Sequence, residues 1–304
     1  MFFNRVDNST QFRAIVLLIL LRDASHLYPD TYTIQVTHRE VSNFFLVAKA
    51  FEICASRIQL EYYTMPDSSE IIILKDEAEL ITRLASEVEK AAAKAIAEED
   101  VFKIGLSGGS MVKFLEKGLP GVQTEWSKWR FFFCDERIVP ADSADSTFGA
   151  YRNALIGKVP ITEDQFINVD PDMSAEAAAK DYIQKMAVHF PPDSLPRFHL
   201  LLLGVGPDGH TCSLFPGHRL LDETSVWVAP ITNSPKPPPT RITLTFPVVN
   251  NAAMCLFALV GAAKATMVKR ILVEKESLPA ARVQPTDGRL VWLLDQAAAT
   301  HVPQ

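Results

Sequence analysis

The stretch LLLLGVGPDGHTCSLFP, residues 200–216, decides how this chain is read. Leu200 to Leu203 form an apolar run too short for a helix standing alone and the right length for a buried strand. The run breaks into Gly204, Gly206, Pro207, Asp208 and Gly209, a cluster of turn formers, and His210 follows at once. A buried strand feeding a Gly-rich loop is how open α/β sheets present reactive side chains at their carboxyl edge. Asp208 and His210 are therefore expected where a substrate can reach them.

Outward from that strand, apolar runs and periodicity predict strands over 71–74, 101–106, 129–134, 226–231, 241–246, 254–260 and 290–294, with the opening strand over 198–203. Between them lie helical patterns. Asp76 is placed to cap a helix carrying Leu80, Leu84, Val88 and Ala95 on one face. Further helices are predicted over 111–117, ended by Gly118, over 146–156, over 174–189, and from Gly261-Ala262-Ala263-Lys264 to about Glu274. Strands alternating with helices imply a largely parallel sheet with helices on both faces.

The bulk numbers exclude some functions. Among 304 residues, 48% are apolar and 22% charged, ordinary for a globular chain, and the formal net charge of -6 gives no global basic field for nucleic acid or acidic membranes. An anionic substrate must then be held by a local cluster of donors. Cys54, Cys134, Cys212 and Cys255 are far apart in sequence, and none has zinc-ligand spacing with a histidine, so reduced and mostly buried thiols in a reducing compartment are expected. The longest apolar run, 14–21, is far short of the roughly 20 residues that span a bilayer. Arg5 and Arg13 precede it as in a signal peptide, but Arg22 and Asp23 follow directly, and a short buried or loosely packed element is expected instead.

Residues 1–66 contain no glycine and no recognisable chemistry; 41–58 fits an amphipathic helix, and the whole segment is expected to be an extension of unknown role. Met65-Pro66-Asp67-Ser68-Ser69 reads as a junction, so a second unit is expected over 67–304.

Four groups carry candidate chemistry. Ser107-Gly108-Gly109-Ser110 lies between a strand and a helix; the glycines let the backbone approach a ligand, the helix offers free N–H groups and its positive dipole end, and the serines add hydroxyls. A Gly-Gly turn alone is usually only a turn, and it is the strand before and the helix after that favour an anion site. Asp135-Glu136-Arg137 closes an aromatic strand; the bland reading is a solvated strand end, the functional one an Arg137 that forks onto phosphate or carboxylate oxygens. Arg241, after the proline-rich 234–239 segment, and Lys264, in the first turn of a helix, would each be surface charges in isolation but stand at element ends, where a phosphate clamp draws its cations. His210 is either a structural turn histidine or a catalytic one; the Pro-Asp-Gly turn and Asp208 two residues earlier favour catalysis. No further ligand is spaced to join it in a metal site, and Cys212 is read as packing.

The segment Gly204-Val205-Gly206-Pro207-Asp208-Gly209-His210-Thr211, with Ser213-Leu214-Phe215-Pro216 after it, resembles the signature of the 6-phosphogluconolactonase family. The Ser107–Ser110 turn, CDERIVP at 134–140, STFG at 146–149, SPKPPPTRITLT at 234–245 and the 261–264 segment resemble that family in order and spacing, so that the resemblance covers about three quarters of the chain. It implies a Rossmann-like α/β fold similar to that of glucosamine-6-phosphate deaminase, and a 6-phosphogluconolactonase-like catalytic domain over 67–304. It also implies a cytoplasmic carboxylic ester hydrolase of the oxidative pentose phosphate pathway that opens 6-phospho-D-glucono-1,5-lactone with no cofactor or metal. The implied partner is that sugar-phosphate lactone alone, without nucleic acid or membrane, taken up by a monomer or weak dimer. His210 would be the base and Asp208 its orienting partner, with Ser107, Gly108, Gly109, Ser110, Arg137, Arg241 and Lys264 toward the phosphate. The alternatives are a sugar-phosphate isomerase or deaminase on the same fold, whose loop usually carries Asn-Gly-His where this chain has Asp208-Gly209-His210, and a sugar-phosphate-binding module that is not an enzyme.

Overall fold

The computed structural model describes residues 69–303. The expectations for residues 1–66, including the 14–21 run, the 41–58 helix and Cys54, fall outside them.

Strand β1 (Glu70–Leu74) passes through Asp76, whose Oδ1 accepts the Glu79 N–H at 3.0 Å, into helix α1 (Glu77–Glu99). There follow β2 (Phe102–Leu106), α2 (Ser110–Gly118), β3 (Trp129–Phe133), the short β4 (Asp135–Arg137), α3 (Thr147–Leu155) and α4 (Ala175–Ala187). Then come β5 (Leu200–Leu203), β6 (Val228–Ile231), β7 (Arg241–Leu244), the one-turn α5 (Phe246–Val249), β8 (Met254–Leu259), α6 (Ala265–Val268) and β9 (Arg289–Asp295). Ser146 and Ser174 cap α3 and α4 by accepting the Gly149 and Ala177 N–H groups.

Six strands form one parallel sheet in the order β1-β9-β8-β5-β2-β3. Alternate residues point to opposite faces. Leu201, Leu203, Phe257 and Trp292 join a core that includes Tyr182 and Met186 of α4 and Met267 and Val268 of α6. Leu200, Leu202, Leu256 and Leu293 join a second core with Leu84 of α1, Phe114 of α2 and Tyr151 of α3. Both faces are thus covered by helices, and the strands read as continuous apolar runs because neither face meets water.

The strand order also fixes where a ligand sits. From β2 the chain moves outward to β3, whereas from β5 it moves the other way, to β8 and β9. β2 and β5 are neighbours, paired at Ile104↔Leu200 and Gly105↔Leu201. The loops leaving their carboxyl ends diverge and leave a crevice between them, the switch point at which open α/β sheets bind ligands.

Three local expectations change. Asp135-Glu136-Arg137 is not a solvated strand end. It is β4, which pairs with β7 in a separate antiparallel sheet of order β4-β7-β6, and Asp135 and Glu136 are buried. The three charges follow the apolar strand because the chain changes sheet at Cys134, whose N–H bonds the Leu106 carbonyl while its own carbonyl accepts from Leu244. α2 ends at Gly118 as expected, but without a left-handed glycine cap: Gly118 keeps helical backbone (φ -88) and leads into a 3₁₀ turn over Leu119–Gly121, where α2 lies close to α1 at Ile81 and Ala85. The helix after Gly261 starts as a 3₁₀ turn and ends as a π-helical stretch over Lys269–Val273.

Leu202 is fully buried in the central strand. Leu202→Ala is expected to lower the free energy of unfolding by about 2–5 kcal/mol, read from the shift in a urea unfolding midpoint.

Candidate active site

The Ser107–Ser110 loop after β2 and the Gly204–His210 loop after β5 line one pocket of about 200 Å³. Its wall also includes Asp135 and Arg137 of β4, Cys212, Arg241 at the start of β7, Ala258–Val260 at the end of β8, and Lys264. Of the residues singled out from sequence, Asp208 alone is absent from the wall; it lies behind His210.

The anion end is built on the turn into α2. Gly109 sits at φ 71, ψ -135, a backbone region closed to residues with a Cβ, and a Cβ there would meet nothing within 4 Å. The turn opens the first amides of α2 to the pocket, since the leading N–H groups of a helix have no partner inside it. From behind, the Tyr151 hydroxyl donates to the Ser107 carbonyl at 2.8 Å. The Ser107 hydroxyl is buried and without a hydrogen-bond partner among the described residues, which leaves it available to a ligand.

The cations differ in how free they are. Arg137 Nη1 bonds the Asp145 carbonyl, while its Nε is buried and unpaired among the described residues. Lys264 Nζ donates to the Val205 carbonyl at 2.6 Å, which braces the His210 loop and leaves about two of the three ammonium hydrogens uncommitted. Arg241 is more heavily engaged. It is 2% exposed, its Nε donates to Pro238 O, its Nη2 donates to Lys236 O and Pro237 O, and its Nη1 lies 3.3 Å from Ser213 Oγ and 3.9 Å from Asp135 Oδ2. Of five guanidinium hydrogens, about one remains for a ligand.

At the other end, His210 Nδ1 lies 2.5 Å from Asp208 Oδ1. A carboxylate can only accept, so Nδ1 carries the proton and Nε2 holds the lone pair. Burial lowers the His210 pKa below the ordinary histidine value, against the hydrogen bond and charge of Asp208, which raise it. Burial would raise the Asp208 carboxyl, but hydrogen bonds from His210 and Lys236 outweigh it and hold that group at about 2. The pair is therefore a neutral imidazole on a carboxylate anion at neutral pH. The Phe215 ring packs on the imidazole with centroids 4.6 Å apart. Residues i and i+2 in a turn need not touch; here they do because the turn is tight, with Gly209 N–H bonded to Gly206 O and Gly206 N–H to His210 O.

Lys236 did not stand out from its residue type. Its Nζ is 3.0 Å from Asp208 Oδ1 and 3.2 Å from His210 Nδ1. The signal was present in the SPKPPPT segment, where a lone lysine among prolines sits on a loop with little freedom. Glu136 is a second such residue. Burial raises its carboxyl to about 7, against backbone N–H bonds from Thr147, Phe148 and Arg137 that favour the anion. It ties β4 to the start of α3. Cys212 is no nucleophile, since the neighbouring Cys134 thiol and burial push its own thiol well up, so packing is its role. Among the described residues no group of His, Cys, Asp and Glu is arranged to hold a metal ion.

An anion cradle facing a histidine–aspartate pair across the switch point of a parallel sheet defines an α/β enzyme for a small anionic substrate. Similarity to known proteins narrows the class. Residues 75–292 match the family described as glucosamine-6-phosphate isomerases/6-phosphogluconolactonase, and the chain belongs to that family. The chain is 48% identical to the 6-phosphogluconolactonase of Homo sapiens over 242 residues, which cover 77% of this chain and 94% of that one. It is 44% identical to a probable 6-phosphogluconolactonase of Drosophila melanogaster over 236 residues, 77% of this chain and 95% of the other. Among solved structures, a 6-phosphogluconolactonase from Trypanosoma brucei superposes with a TM-score of 0.68 at 27% identity, over 78% of this chain and 99% of that one. The fold expected from sequence, a parallel sheet covered by helices as in this family, is the one found.

A Cβ at position 206 would lie 2.0 Å from His210 Cε1. Gly206→Ala must therefore displace the imidazole, and kcat/KM is expected to fall by about 10²-fold while the thermal midpoint moves little, as read by steady-state assay and calorimetry.

Proposed function

We propose that this protein hydrolyses 6-phospho-D-glucono-1,5-lactone to 6-phospho-D-gluconate, the second step of the oxidative pentose phosphate pathway. The 48% identity to 6-phosphogluconolactonases over nearly their whole length supports the activity. The observation that carries the chemistry is that His210, oriented by Asp208, lines the same pocket as the Ser107–Ser110 turn.

The lactone is a cyclic ester, and two steps of its opening are slow without help: water is a weak nucleophile, and the ring oxygen leaves poorly as an alkoxide. His210 Nε2 takes a proton from water as the water oxygen bonds to C1. The imidazolium, its Nδ1–H held by Asp208, then returns that proton to the ring oxygen as the C1–O bond breaks. One imidazole near neutrality serves both transfers, and such catalysis is worth about 10²–10⁴-fold. The 6-phosphate rests on the first amides of α2 and the Ser107 and Ser110 hydroxyls, with Arg137 and Lys264 supplying charge. Arg241 offers the phosphate at most a single N–H, and its main part is to hold the 236–238 loop. Binding the phosphate at one end fixes C1 at the other, which is where positional gain arises. Cys134, Cys212 and Cys255 are buried, and a reducing, cytoplasmic setting is part of this proposal.

His210→Ala is expected to lower kcat by about 10²–10⁴-fold with the fold intact, measured by a coupled assay with spontaneous hydrolysis subtracted; undiminished hydrolysis would remove His210 from the base's role. Arg137→Ala is expected chiefly to raise KM. Because the His210 pKa is lowered, the base stays available as pH falls, and the acid limb of kcat/KM should lie below the ordinary histidine value of about 6.5.

A further inference from the structure

We propose that Lys236 is a positioning residue for the Asp208–His210 pair, holding the carboxylate toward the ring and keeping the imidazole in the neutral form that can accept a proton. The inference rests on the reading of His210 as the base and deepens it.

The geometry begins with one oxygen. Asp208 Oδ1 accepts both from His210 Nδ1 at 2.5 Å and from Lys236 Nζ at 3.0 Å. The Asp208 side chain is 36% exposed, so the histidine bond alone would leave it able to rotate toward water. A second donor on the same oxygen fixes its direction. The ammonium is in turn fixed by its loop. Ser234 Oγ donates to Lys236 O at 2.9 Å, Ser234 N–H bonds Pro239 O, and the buried Arg241 gathers the carbonyls of Lys236, Pro237 and Pro238. Pro235, Pro237, Pro238 and Pro239 leave the segment little backbone freedom to lose on ordering.

The second effect is charge balance. An isolated aspartate 2.5 Å from an imidazole stabilises the imidazolium, and a histidine already protonated cannot be a base. The charged groups that face this ring are Asp208 from its own turn, Asp135 from β4 and Lys236 from the proline loop. The first two are anions that favour the cation. Lys236, 3.2 Å from Nδ1, is the cation that opposes them. It acts in the same direction in the second half of the reaction, where the imidazolium must give its proton to the ring oxygen: a positive neighbour makes it the stronger acid.

Two variants test this. Lys236→Met keeps the side-chain stem and removes the charge; Lys236→Arg keeps the charge. The His210 ring is titrated directly by NMR in ¹⁵N-labelled full-length protein, its resonance assigned by loss in His210→Ala. In Lys236→Met the midpoint is expected to rise by about one pH unit, and the acid limb of kcat/KM to rise with it; in Lys236→Arg both stay close to the parent. An unmoved midpoint in Lys236→Met, or an Arg variant displaced as far as the Met variant, overturns the proposal. A midpoint that rises while the activity profile stays put upholds the role of Lys236 toward the ring and refutes His210 as the base, so the two readings fail separately.

Discussion

The pairing of β2 with β5 is the constraint on which the rest depends. Two parallel strands lie side by side at the centre of the sheet, and the chain leaves them in opposite directions. Everything chemical follows from that divergence. One loop turns into the start of α2 and presents unpaired amides; the other turns back on itself and presents a histidine. Neither loop makes a site alone. The sheet supplies their separation, because both are anchored to buried strands whose side chains interlock with helices on two faces.

The two ends of the pocket are opposite electrostatic problems. At the end proposed for the phosphate, positive potential is assembled from backbone dipoles and partly committed cations, in a chain whose net charge of -6 gives no help at a distance. At the histidine end, the difficulty is to keep an imidazole uncharged beside a carboxylate. Burial acts on the ring in that direction, and Lys236 adds to it. The antiparallel sheet β4-β7-β6 serves both ends, since Arg137, Asp135 and Arg241 all come from it.

Much of this was legible in the sequence. Leu200–Leu203 followed by Gly204 and His210 reads as a strand and a carboxyl-edge loop, and Asp76 announces its helix by capping chemistry, whereas Ser146 and Ser174, read as the first residues of their helices, prove to be the caps. Ser107 to Ser110, His210, Arg137, Arg241 and Lys264 were singled out one by one, and they line a common wall. What one dimension hid was pairing. The charges of Asp135 and Glu136 looked like a frayed strand end because nothing local shows that the next partner is β7, about 100 residues on. The engagement of Arg241 with three carbonyls was equally hidden, because a side chain's competition between a ligand and its own loop is decided by tertiary geometry. Lys236 is inconspicuous in the sequence for the same reason: its partners, Asp208 and His210, lie 28 and 26 positions away.

The grip of Arg241 on the proline loop has a consequence for how the enzyme would lose its function under stress. A surface loop ordinarily frays first, at a free energy well below that of global unfolding. Peeling this one away would take three carbonyl acceptors from a guanidinium that is otherwise 2% exposed, and water would have to replace them. Local opening is thereby made costlier than the fraying of an ordinary surface loop, so the geometry around His210 is tied to the integrity of the buried strand that carries Arg241.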